Sequence, residues 1–262
     1  MPDRPRRDMP FLDHLEELRW RILKSLIAIV IGSIGGVAIS DFLLTFLLRP
    51  ISNLENPPEI IALSPLAMIM VRLSAGIVAG LVVALPVLVY QIWSFVSPGL
   101  VANERRYVIP MVASSAISFV IGALLAYGIV DMVLAVLIEA GYEGVQHSWN
   151  IQEYIGFILR FLVAFGVVFQ LPVISFLLSR IGLLTPAFLK HYRRHAVVGG
   201  FVLAALLTPP DPFTQVAMAL PLLILFQVSI WVSHFATPKD LMDDSAQPPQ
   251  VDDEASDDAE DG

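Results

Sequence analysis

Phe11-Leu-Asp-His-Leu-Glu-Glu-Leu-Arg-Trp-Arg-Ile-Leu23 is a charged amphipathic helix that runs without a break into an apolar one. Leu12, Leu15, Leu18 and Ile22 recur at helical spacing and form one apolar stripe. Glu17 and Arg21 stand four residues apart with the acid first, the better order for a helical pair. The apolar continuation, from Ile22 to Phe42, is long enough to span a bilayer, and Lys24 can snorkel at its start. Gly32, Gly35 and Gly36 give it a small face that a second helix could approach closely.

The same apolar character extends through the chain. Of 262 residues, 56% are hydrophobic and only 15% charged, with a mean hydropathy of +0.73. A soluble domain would be about 25% charged. The expected fold class is therefore an all-α polytopic membrane protein. The net charge of −8 belongs to the tail, since Lys239 to Gly262 alone carries −9 and the remainder +1. Three regions follow: a flexible basic start over 1–10, a membrane domain over 11–235 and a disordered acidic tail over 236–262. There is no cysteine, so disulfides, thiolate metal sites and cysteine nucleophiles are excluded. Arg6-Arg7 is followed by an acidic helix and by no small-residue cleavage site, so the N-terminus does not read as a cleavable signal.

Further along, Asp41 to Pro65 reads as an outside segment whose apolar piece, Phe42 to Leu48, is too short to span and packs as a loop helix. A second span runs from Leu66 to Trp93, with Pro86 inside it as an expected kink. The third runs from Val108 to Val130, with apolar residues continuing to Ile138. The fourth runs from Tyr154 to Leu178 and contains Arg160 and Gln170. Ala196 to Leu207 is apolar for only 12 residues, about 18 Å of helix. After the hard turn Thr208-Pro-Pro-Asp-Pro212, a last apolar run covers Thr214 to Val232, with Pro221 and Gln227 inside. Read as a hairpin of two spans, this short pair would be met by local thinning of the membrane. Six spans put both termini on one side. That side carries 13 of the 16 Lys and Arg, so both termini are expected in the cytoplasm.

Candidate chemistry is sparse. The sequence shows no nucleotide loop, no metal-ligand cluster and no nucleophile–base arrangement. Asp211 between prolines reads as a turn residue. Gln170 and Gln227, the deepest polar groups of the expected spans, cannot titrate. An ion-coupled secondary transporter, the alternative function, would need a titratable group near the midplane. An intramembrane enzyme would need a Ser/His pair, paired Asp or a metal. At the cytoplasmic face Glu16, Glu17 and Glu104 lie beside Arg19, Arg21, Arg105 and Arg106. Two readings stand for them. One is a ring of mutual ion pairs on a solvated face, each worth little. The other is a set of carboxylates held to grip an arginine-rich peptide by bidentate hydrogen bonds.

Five pieces in order resemble the TatC family, the multi-spanning subunit of the twin-arginine protein translocase. They are Phe11 to Ile22, Pro86-Val-Leu-Val-Tyr-Gln-Ile-Trp-Ser-Phe-Val-Ser-Pro-Gly-Leu100, Asn103-Glu-Arg-Arg106, Phe165-Gly-Val-Val-Phe-Gln-Leu-Pro172 and Leu207-Thr-Pro-Pro-Asp211. The resemblance implies six helices in a concave, glove-like bundle with short fifth and sixth members, in the plasma (inner) membrane. It implies a receptor and scaffold for protein export driven by the proton-motive force, without enzyme activity, cofactor, metal or nucleic acid. Implied partners are twin-arginine signal peptides of folded precursors, TatA- and TatB-type single-span proteins and further copies of the chain.

The signal-binding glutamates of that family fall on Glu17 and Glu104, with Glu16 a weaker candidate. Arg19, Arg21 and Arg105 are placed to orient them. Guanidinium meets carboxylate in a planar fork that lysine cannot reproduce. One position departs: where many members carry a glutamate in the fourth helix, this chain has Gln170. It is expected to dock a polar residue of a partner helix. Gln215, Pro86 and Phe95 are the further positions expected to dock partner helices.

Overall fold

The structure is a computed structural model, and it describes residues 11–54, 57–96, 108–139, 148–207 and 212–237. The expectations for the N-terminal start, for Glu104, Arg105 and Arg106, for Asp211 and for most of the acidic tail concern residues outside those described.

Among the described residues eleven elements follow one another: α1 (Phe11–Ala38), α2 (Ser40–Ser52), β1 (Glu59–Ile61), α3 (Ala67–Val96), α4 (Val108–Glu139), β2 (Ser148–Asn150), α5 (Ile151–Val168), α6 (Leu171–Arg180), α7 (Pro186–His191), α8 (Arg193–Leu207) and α9 (Pro212–Ala236). In lipid every backbone N–H and C=O must find its partner within the chain, and a helix achieves this locally. Among the described residues five stretches are long and apolar enough to cross a membrane: Leu15–Ala38, Ala67–Phe95, Ile109–Glu139, Ile151–Arg180 and Gln215–Ala236. α8 has 15 residues, three more than its apolar run, because Arg193, Arg194 and His195 add a polar first turn. At about 22 Å it stays short.

Two features correct the expectation from sequence. The all-α reading misses a parallel strand pair, with Glu59 opposite Ser148, Ile60 opposite Trp149 and Ile61 opposite Asn150. Three-residue strands leave no alternating pattern long enough to read. Each strand leads towards a helix, α3 or α5, so parallel pairing starts those helices side by side. Asn150 then caps α5, its side-chain oxygen accepting from the Gln152 N–H at 3.1 Å.

Second, the span read as one helix from Tyr154 to Leu178 is broken. At the break Gln170 N–H donates to the Val167 carbonyl at 2.9 Å instead of continuing the ladder to Gly166. Pro172 follows in the first turn of α6, where its missing N–H costs nothing. α4 takes the longer of its two expected bounds, running to Glu139, and this brings Asp131 into an apolar span. α3, by contrast, is continuous through Pro86.

The core gathers where α2 lies across α4 and α5. Leu44, Leu47 and Ile51 of α2 are buried against Val130 and Leu134 of α4 and Ile155 and Ile158 of α5. α2 contains Pro50, which has no N–H for the Phe46 carbonyl one turn back. Tyr127 of α4 supplies the donor instead, at 2.8 Å, and its ring stacks on Phe46 at a centroid distance of 4.3 Å. Tyr154 of α5 donates to the next carbonyl, Leu47, at 3.0 Å. Two tyrosines thus hold the short helix by carbonyls near its proline. Tyr127→Phe is expected to lower stability by about 1 kcal/mol in detergent unfolding. An unchanged transition would mean that packing alone holds α2.

α1 contributes nothing to this core among the described residues. It leans on α3 through a seam of glycines, Gly32 and Gly36 facing Gly76 and Gly80. A β-carbon on Gly32 would lie 2.7 Å from the Gly80 carbonyl oxygen, and one on Gly76 would lie 2.6 Å from the Val37 nitrogen. Without side chains the two backbones touch, which is how helices associate where lipid removes the hydrophobic drive. At the other side α6 and α9 are joined by Ser179 and Ser233, both buried, with their hydroxyl oxygens 2.6 Å apart.

Candidate functional site

The first turns of α1 do not arrange themselves as a surface helix of a soluble protein would. Leu15 and Ile22, members of the apolar stripe, are exposed, whereas Glu17 and Arg21 are turned away from solvent. Their side chains are 26% and 16% exposed, respectively. In a membrane protein an outward apolar stripe meets lipid, so the charged face is free to point inward. Arg21 Nε donates to Glu17 Oε1 at 3.0 Å, and Nη2 reaches the same oxygen. The guanidinium is therefore fixed on one carboxylate oxygen. Glu16 and Arg19 of the same helix are exposed. Glu17 and Arg21 are the two sequence-chosen residues that the structure brings together. Glu104 and Arg105 are not among the described residues, so their distance from Glu17 is not part of this geometry.

Of the expected docking residues, Gln170 and Gln215 lie on other helices, whereas Pro86 and Phe95 lie on α3, the helix that α1 packs against. Gln170, half-buried at the break between α5 and α6, gives both amide hydrogens to backbone carbonyls: Ser115 of α4 at 3.1 Å and Gly166 at 3.2 Å. The second is the carbonyl that the break set free. Gln215, half-buried in the first turn of α9, donates to the Phe201 carbonyl of α8 at 3.2 Å and so ties the short hairpin. Pro86 is exposed on α3, and Phe95 is half-buried near its end.

This sequence and fold are similar to those of known proteins. The family described as Sec-independent protein translocase protein (TatC) matches residues 13–221. The chain belongs to the TatC family. The TatC protein of Carboxydothermus hydrogenoformans is 38% identical over 242 residues, which are 92% of this chain and 98% of that protein. The TatC protein of Escherichia coli K12 is 34% identical over 232 residues, 88% of this chain and 90% of the relative. The crystal structure of a twin-arginine translocase receptor TatC matches with a TM-score of 0.76 at 35% identity, covering 86% of this chain and all of that one.

Asp131, Arg160 and Arg72 are charged groups of the spans of this TatC-family chain that were not among the expected site residues. Asp131 and Arg160 are exposed within apolar stretches, and Arg72 pairs with Asp41 at 2.7 Å where α3 begins. Arg160 was visible as a basic residue inside the fourth apolar run. Asp131 lies in the extension of the third run beyond Val130.

Proposed function

We propose that this chain is the signal-peptide receptor and core scaffold of a twin-arginine translocase, and that Glu17 is its acceptor for a signal arginine. The observation that carries the reading is the half-buried Glu17–Arg21 pair in a chain of this family. Arg21 neutralises the carboxylate when no signal is present and fixes its direction. A signal arginine then competes for a carboxylate already withdrawn from water, where a charge-assisted hydrogen bond is worth more than on an open surface. Glu104 supplies the second acceptor, flanked by Arg105, which gives selectivity for paired arginines. Arg19 and Glu16 form the exposed margin of the same patch.

The wider arrangement follows from this role. α8 serves as a sixth, short span, the bundle is concave, and both termini lie in the cytoplasm, as the distribution of Lys and Arg favours. The protein works in the inner membrane with TatA- and TatB-type partners and further copies of itself. Export draws on the proton-motive force, and the chain itself performs no catalysis. Partner helices meet it around Gln170, Gln215, Pro86 and Phe95. Since both amide hydrogens of Gln170 are engaged within the chain, its amide oxygen receives the partner's donor.

The test is binding of a twin-arginine signal peptide to the purified protein in detergent, against the same peptide with both arginines replaced by lysine. Wild type is expected to prefer the arginine peptide, and Glu17→Ala or Glu104→Ala to weaken it by about tenfold or more. Equal binding by all combinations would reduce the glutamates to ordinary surface ion pairs.

A further inference from the structure

At the end of the bundle where β2 meets α5, a cavity of about 500 Å³ opens between α4 and α5. Its walls hold one anion and one cation, Glu153 and Arg160, with Trp149 at one side and Leu134, Leu137 and Phe157 as the apolar lining. Both charged side chains are exposed, and among the described residues neither has an ion-pair partner. They are seven residues apart on α5, two turns along one face, so about 10 Å of helix axis separates them. Glu153 stands at the start of the helix and Arg160 ten residues into the apolar stretch Ile151–Arg180. Helical side chains lean towards the N-terminus, and Arg160 does so, its Nε donating to the Gly156 carbonyl at 3.0 Å. The guanidinium thus reaches up from apolar depth towards the carboxylate.

We infer that this cavity binds the phosphoethanolamine headgroup of a membrane lipid. The phosphate of such a headgroup lies nearer the acyl chains and its ammonium further out. Arg160, the deeper group, matches the phosphate and donates through its planar fork. Glu153, the outer group, matches the ammonium. Leu134, Leu137 and Phe157 face the glycerol and the upper acyl chain, and Trp149 takes the interfacial place that tryptophan favours. A purely anionic headgroup would satisfy Arg160 and be repelled by Glu153, so the site discriminates by charge pattern. The inference stands apart from the signal-binding reading, because the cavity shares no residue with Glu17 or Arg21.

Native mass spectrometry of the full-length protein in detergent tests this, with titration by phosphatidylethanolamine, phosphatidylglycerol and free phosphoethanolamine. Wild type is expected to hold phosphatidylethanolamine about tenfold more tightly than phosphatidylglycerol, the scale of one hydrogen bond to a charged group. Arg160→Gln should lose both lipids. Glu153→Gln, at an exposed position that the fold does not need, should erase the preference by improving phosphatidylglycerol. Equal binding of the two lipids by wild type, or binding unchanged in both variants, overturns the inference. So does full competition by free phosphoethanolamine, which would mark a soluble ligand. A single-span partner protein lost from Arg160→Gln while lipid binding persists would assign the cavity to protein docking and likewise overturn it.

Discussion

Gly80→Leu is expected to detach α1 and to lower stability by about 3 kcal/mol or more. A β-carbon at Gly80 would fall on the Ser33 backbone, with Ser33 Cα 2.5 Å away. No rotamer change relieves a clash of this kind, because the obstacle is main chain. The helices must separate, and α3 is the main packing partner of α1 among the described elements, the core cluster containing none of its residues. The close contacts of Gly32, Gly36 and Gly76 would open together, so the loss exceeds that of one side chain. Gly35, on the same helix, is the control. A β-carbon there meets nothing within 4 Å, and Gly35→Ala should leave stability unchanged or slightly raised. The measurement is thermal unfolding in detergent with size-exclusion profiles of both variants. Gly80→Leu with the wild-type transition and profile would show that the seam does not hold α1. Because Glu17 and Arg21 ride on the same helix, Gly80→Leu should also weaken signal-peptide binding although it lies far along the chain from them.

That seam was half legible in the sequence. Gly32, Gly35 and Gly36 announced a small face on the first helix, but not which of the three would meet a neighbour. The choice of Gly32 and Gly36 depends on where Gly76 and Gly80 arrive from another helix, which only three-dimensional packing fixes. The apolar runs were readable for a stronger reason: a bilayer demands about 20 apolar residues per span, and few other structures need them. The boundary failed where a break is stabilised by a side chain, as at Gln170. Hydropathy registers the residue and is blind to what it bonds. The site shows the same division. Spacing alone paired Glu17 with Arg21, and the structure adds that the pair faces inward. An amphipathic helix read by soluble-protein rules would have turned its leucines inward and left the charges in water. The strand pair was invisible because its stability comes from joining two segments 89 positions apart, as the Glu59 to Ser148 register shows.

Gln170→Glu should be more damaging than Gln170→Leu, although glutamate is the closer isostere and the residue that the family resemblance leads one to expect here. The amide nitrogen of Gln170 serves two carbonyl oxygens, of Ser115 at 3.1 Å and Gly166 at 3.2 Å. The second has lost its helical donor, since the Gln170 N–H turns to Val167. An ionised carboxylate has no hydrogen to give and would set negative charge against both oxygens in apolar surroundings. An uncompensated charge of this kind costs about 3–5 kcal/mol. Leucine also removes both donors, but it brings no charge and fills the space, so its cost should stay near about 1–3 kcal/mol. The expected order of thermal stability at neutral pH is therefore Gln, then Leu, then Glu. Glutamate as stable as glutamine would mean that the side chain swings away from α4 and that the break between α5 and α6 does not depend on it. If the predicted order holds, the amide is the brace that lets this chain interrupt a membrane span. A relative with glutamate there must then satisfy the Gly166-equivalent carbonyl by another donor. Co-purification of partner subunits with the leucine variant separates the two roles, because the brace uses only the amide nitrogen while docking uses the amide oxygen. Partners retained at a lowered unfolding temperature would leave Gln170 with the structural role alone.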